Sequence, residues 1–217
     1  MISIVPAFIP SSQASLLESL ALLHGVPEIH LDLVDGVFVP FKAWPYEPIG
    51  IIANIQATTN QFTLEVDLMV EKPLTAASQW LQVGADMLVF HVENTNLREF
   101  ADFQKRVGSS VTLSIAATAN TPFSVLQPYL EVCDAVQLMG IATIGAQGQP
   151  FDARVLTRIE EVRAAFPKLP ITIDGSVNAE TILKLKAAGA HRFICGSAIT
   201  KAINPLAAYQ QLLKLAN

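Results

Sequence analysis

Short apolar runs alternate along the chain with stretches whose apolar residues recur at helical spacing, each bounded by turn and capping residues. The runs predict eight strands: Ser3 to Ile9, Glu28 to Leu33, Phe62 to Met69, Met87 to Val92, Val111 to Ala116, Ala135 to Met139, Ile171 to Asp174 and Arg192 to Cys195. Helical patterns lie between them. Ser12 to Leu23 carries Leu16, Leu17, Leu20 and Leu23 on one stripe, and Ala179 to Ala188 turns Ile182, Leu183 and Leu185 toward the sheet, with Asn178 as N-cap. Gly84 in "QVGAD" and Gly189 in "AAGAH" each end a helix just before the next strand. Such alternation with short connections predicts an α/β fold, either a closed barrel or an open doubly wound sheet. No Gly-x-Gly-x-x-Gly follows the first strand, which takes away the main support for a dinucleotide-binding sheet. The expected architecture is a (β/α)8 TIM barrel spanning residues 1–217 as one domain.

Composition narrows the function classes. Hydrophobic residues make up 51% of the 217 residues and charged ones 15%, as suits parallel strands buried on both faces without alternation. A formal charge of -5 and a pI near 5.3 provide no basic face, so nucleic-acid and anionic-membrane partners are not expected. No apolar run is long enough to span a bilayer and the start lacks a signal-peptide pattern, which together predict a cytoplasmic protein. The two cysteines, Cys133 and Cys195, sit among apolar residues and read as buried thiols.

In a barrel of this kind the active site forms at the carboxyl ends of the strands. "EIHLDLVDG" places His30 and Asp32 two apart, on one side of the second strand, before Asp35 and Gly36 open the loop. Glu65 and Asp67 repeat the spacing in the third strand, His91 and Glu93 close the fourth, and Asp174 ends the seventh. Buried carboxylates need a cation, hydrogen bonds or a raised pKa, and several together suggest a site. Taken singly, Asp67 and His30 read equally well as satisfied groups inside the barrel. Glu65, lying deeper, reads as structural, and Asp35 and Glu93 as solvated loop residues. Backbone amides for an anion are offered by Gly140 to Phe151, Asp174 to Asn178 and Cys195 to Ile199, the last two following strands seven and eight.

These segments together resemble the ribulose-phosphate 3-epimerase family, including its allulose-phosphate relatives, from "SIVPAFIP" near the start to "CGSAI" near the end. The most specific piece is "IHLDLVDGVFVP" at Ile29 to Pro40, followed in order by "DLMV", "HVE", "GQPF" and "IDGSVN". The resemblance implies a TIM barrel of the ribulose-phosphate-binding type and an epimerase of the pentose phosphate pathway. It acts on a small phosphorylated ketose, most directly D-ribulose 5-phosphate and D-xylulose 5-phosphate, with homo-oligomeric assembly. It assigns Asp32 and Asp174 as the catalytic pair that exchanges a proton through an enediolate stabilised by a divalent metal. His30, Asp32, Asp67 and Asp174 fall at the metal ligands. Met69 and Met139 flank the substrate, and Gly145, Gly148, Gly175, Ser176, Gly196 and Ser197 gather the phosphate.

The chain departs from the family at Asp67, normally a histidine, at Ala7, normally a serine, at Val34, normally a methionine, and in the sixth loop. That loop carries an extra residue and Gln147 in place of a small one. One histidine with three carboxylates is a harder ligand set than two of each, favouring Mg²⁺ or Mn²⁺ over Zn²⁺ among the candidate ions, which include Fe²⁺. Two other readings stand beside the epimerase. A hexulose-phosphate-synthase-like enzyme would need a lysine two residues after Asp67, where the chain has Met69. A phosphosugar-binding barrel without turnover would keep the anion pocket and lose the metal.

Overall fold

The computed structural model describes residues 2–217. Among them, eight parallel strands close into a barrel in sequence order, the last hydrogen bonded back to the first. The strands are β1 (Ser3–Phe8), β2 (Glu28–Val34), β3 (Thr63–Met69), β4 (Met87–His91), β5 (Thr112–Ala117), β6 (Ala135–Met139), β7 (Ile171–Asp174) and β8 (Arg192–Cys195). No expected strand end moves by more than one residue. The helices are α1 (Gln13–Ala21), α2 (Gln56–Thr59), α3 (Pro73–Gln82), α4 (Leu97–Val107), α5 (Phe123–Leu130), α6 (Arg154–Ala165), α7 (Ile182–Ala188), α8 (Ser197–Thr200) and α9 (Pro205–Ala216). No described helix is long and apolar enough to cross a membrane.

The main apolar core lies between strands and helices. Ile29, Leu31 and Leu33 of β2 and Leu64, Val66 and Leu68 of β3 join Leu16, Leu20, Trp80, Phe100 and Phe103 from the helices in that layer. The inner side is different. Glu28, His30 and Asp32 stand in register with Thr63, Glu65 and Asp67, and Thr172 of β7 pairs in register with Arg192 of β8. The high apolar fraction suggests strands without alternation, yet β2 and β3 alternate strictly. They are buried on both sides, but the barrel interior pairs its acids with an arginine and histidines, so charge is tolerated there.

Local chemistry explains the helix limits. Ser12 caps α1 reciprocally with Ser15, through backbone-to-hydroxyl bonds of 3.0 and 3.1 Å. Leu23 is buried just beyond its end. Gly84 and Gly189 take φ of 91° and 116°, so the following amides reach back to Trp80 and Leu185, as helix ends of this type require. The expectation for the seventh helix needs two corrections. It starts at Ile182, because Asn178 accepts from the Glu180 amide at 2.8 Å and its own amide donates to Thr181 Oγ1 at 3.1 Å, forming a turn first. Leu183 is 49% exposed; only Ile182 and Leu185, three apart, share the buried stripe.

Candidate active site

A cavity of about 320 Å³ opens over the carboxyl ends of the strands, with Asp32 and Asp174 in its walls. Met69 and Met139 line it beside them, and Gly145, Gly148, Gly175, Ser176, Gly196 and Ser197 border the rest. His30 and Asp67 lie beneath, fully buried. One donor atom from each of His30, Asp32, Asp67 and Asp174 falls within 4.8 Å of all the others. Every site residue expected from the sequence therefore belongs to one constellation.

A chain of buried polar contacts holds it. The Arg192 guanidinium donates to both oxygens of Glu65, at 3.0 and 2.9 Å, and to Glu28 at 3.0 Å. Glu65 Oε1 lies 2.5 Å from His30 Nδ1, and His30 Nε2 lies 3.1 Å from Asp32 and 3.8 Å from Asp67. Asp67 accepts from His91 Nε2 at 2.8 Å and from the Gln137 amide at 2.7 Å. Glu65 is thus the structural member, as expected. Asp35 and Glu93 are more than solvated loop acids. Asp35 accepts from the amides of Val37 and Glu71 at 2.9 and 2.7 Å, and Glu93 accepts from the Thr118 amide at 2.9 Å and from the Thr121 hydroxyl.

Charge states follow from these partners. Burial pushes Glu65 up, but Arg192 and the His30 bond outweigh it and bring the carboxyl down to about 2. Burial opposes the charge on His30 and His91, yet hydrogen bonds and charges from Asp32 and Glu65, and from Asp67, hold both imidazoles above their ordinary range. Burial also raises Asp32, with His30 opposing. Asp174, raised first by burial and then by the Asp32 charge, is pushed to about 8. Two carboxyls facing one cavity, both with raised proton affinity, can hold one proton between them and act as a base and an acid at the same pH. Burial pushes the free thiol of Cys133 up to about 12, and that of Cys195 higher still, away from nucleophilic chemistry.

The donor set fits a hard divalent cation. Glu65, pinned by Arg192, accepts the hydrogen bond from His30 Nδ1, so that Nε2, facing Asp32 and Asp67, could serve as a ligand once a cation takes the place of its proton, the usual arrangement behind a metal-bound imidazole. His91, noted at the end of the fourth strand, completes the network with Gln137 and Arg192, which do not stand out in the sequence. Their only signal is a polar residue at an inward position of an apolar strand.

At the other end of the cavity, Gly175 (φ 96°) and Ser176 (φ 54°) turn the chain sharply after β7, and Ser176 Oγ donates to the Gln149 carbonyl. Among the described residues, no turn or loop carbonyl accepts from the amides of Gly175, Ser176 or Ser197, which keeps them available to an anion. Residues 145–149 of the loop after β6, which Asp152 ties back to Gly140 at 2.8 Å, line the cavity, and the loop after β2, where Ala43 and Trp44 donate to Val34 and Pro10, packs Val39 and Phe41 against Gly145. Phe38 covers His91, ring centroids 5.5 Å apart.

Known proteins share this layout. Among solved structures, 3-hexulose-6-phosphate synthase superposes with a TM-score of 0.73 at 19% identity, covering 100% of both chains. The 3-keto-L-gulonate-6-phosphate decarboxylase of Vibrio cholerae does so with a TM-score of 0.74 at 14% identity, covering 99% of this chain and 98% of that one. At such identities they speak for the barrel alone. By sequence, the ribulose-phosphate 3-epimerase of Chlamydia muridarum is 32% identical over 180 residues, 80% of this chain and 76% of that protein. That of Mycobacterium tuberculosis is 29% identical over 223 residues, covering 98% and 92%. Residues 3–200 match the model of the ribulose-phosphate 3 epimerase family, and the chain belongs to that family.

Proposed function

We propose that this chain is a cytoplasmic, metal-assisted ketose-phosphate 3-epimerase that interconverts D-ribulose 5-phosphate and D-xylulose 5-phosphate. The observation that carries the reading is the pair Asp32 and Asp174, brought from β2 and β7 to one cavity, where burial raises the proton affinity of both. One aspartate, ionised, takes the proton from the carbon beside the ketone, and the other, protonated, returns one to the opposite face; the reverse reaction exchanges the roles. Met69 and Met139 keep water from the planar intermediate, while the glycine loops after β6, β7 and β8 hold the phosphate. A divalent cation held by His30, Asp32, Asp67 and Asp174 would supply Lewis-acid stabilisation of the negative charge that develops on the substrate oxygens.

Solvent-deuterium incorporation at C3 of ribulose 5-phosphate, with Mg²⁺, Mn²⁺, Zn²⁺ or Fe²⁺ added, tests this. Exchange is expected in the wild type and a loss of at least about 10³-fold in Asp32→Asn and in Asp174→Asn. One observation favours a second reading, phosphosugar binding without turnover: both Asp67 oxygens already accept hydrogen bonds. Tight sugar-phosphate binding with no exchange under any metal would select it.

A further inference from the structure

Two cavities open side by side above the strands, with the side chains of Gln147 and Ile9 between them. The first, about 320 Å³, contains Asp32 and Asp174. The second, about 210 Å³, lies between the end of β1 and α1 and is edged by the hydroxyls of Ser11, Ser15, Ser19 and Thr200. Gln147 and Ile9 border both. The Gln147 amide nitrogen donates to the Ala7 carbonyl at 3.1 Å, and the Thr200 hydroxyl donates to its oxygen at 3.4 Å. It can lie there only because residue 196 is glycine: a Cβ would stand 2.6 Å from that nitrogen. Beside Ile9, the partition is therefore a carboxamide reaching from the loop after β6 to β1.

In the epimerase reading, on which this step rests, the reacting carbon sits between Asp32 and Asp174, so the opposite wall limits how far the rest of the molecule extends. We infer that Gln147 is the specificity-determining residue that sets this length, favouring a five-carbon ketose phosphate over one longer by a hydroxymethylene. Truncating it joins the cavities. The longer substrate keeps its phosphate on the glycine loops and bows its extra carbon toward Ser11 and Thr200, whose hydroxyls replace the water it loses.

The test compares kcat/KM for D-allulose 6-phosphate and D-ribulose 5-phosphate in wild type, Gln147→Ala, Gln147→Ser and Gln147→Met. The two truncations are expected to raise the six-carbon to five-carbon ratio by about tenfold or more, mainly through KM, a change of the size one methylene-scale misfit brings. Gln147→Met keeps the length and is expected to stay within about threefold of wild type. A ratio unmoved by both truncations, or raised equally by the methionine variant, overturns the inference. If the wild type turns over neither sugar, the epimerase reading fails by itself. The ratio of the two dissociation constants, measured by calorimetry in the same four proteins, then decides the role of Gln147 by the same criteria.

Discussion

Arg192 determines what the acids beneath the cavity can be. With its guanidinium shared between Glu28 and Glu65, Glu65 remains ionised and can orient His30 from behind. Removing one partner of a buried ion pair leaves the other uncompensated, so Arg192→Met is expected to destabilise the fold by about 3–5 kcal/mol at neutral pH. The pH dependence has a definite sign. Glu65 falls from an ordinary 4.5 to about 2, so its contribution is present above 4.5 and fades as pH drops through about 2. Urea denaturation at pH 7 and pH 3 checks both points: the wild type should lose more stability between them than the variant. The sequence announces His30 with Asp32, and Glu65 with Asp67, because partners two apart in a strand share a face. It is silent on Arg192 with Glu65 and Gln137 with Asp67, which lie 127 and 70 residues apart and meet only when the barrel closes.

Strand ends position the anion cradle, and the contact between β6 and β7 is the tightest of them. Gly140 donates to the Asp174 carbonyl at 2.6 Å, and a Cβ at Gly140 would fall 2.3 Å from the Gly175 oxygen. Gly140→Ala is expected to cost about 1–3 kcal/mol by overpacking, and to weaken binding of inorganic phosphate because the turn after Asp174 must shift. Gly25→Ala is the control. Its φ is 82° but its Cβ would meet open space and it does not line the cavity, so a cost of about 1 kcal/mol with phosphate binding unchanged is expected. Denaturation curves and phosphate titration of the two variants separate these outcomes. Elements of this length were legible in the sequence to within a residue wherever apolar runs defined them. The start of α7 was not, because Asn178 and Thr181 hold the backbone in a turn that helical periodicity does not record.

For the whole molecule, closure of β8 onto β1 means that each strand is held on two sides. The ladders are unequal. β2 and β3 run for seven residues each, β7 and β8 for four. Hydrogen exchange followed by mass spectrometry is expected to show β7 and β8 exchanging before β2 and β3; the opposite order would mean that neither ladder length nor the ion network on β2 and β3 sets local opening. The identity of the fold was legible because eight repeats of one unit leave few ways to pack. Its polar interior was legible in the two-apart acids of β2 and β3, but not from composition, which averages over both faces of a strand.

A closed ring of strands also has no edge. In an open sheet the outermost strand offers a row of unpaired amides and carbonyls to any neighbouring chain, and natural sheets guard it with charges, prolines or bulges. Here the exposed surface of the barrel is helix and loop, so there is nothing for another molecule to extend. Recruitment into aggregates has to wait until the short β7–β8 seam parts, which makes shelf life a matter of how often one molecule opens, more than of how many stand beside it.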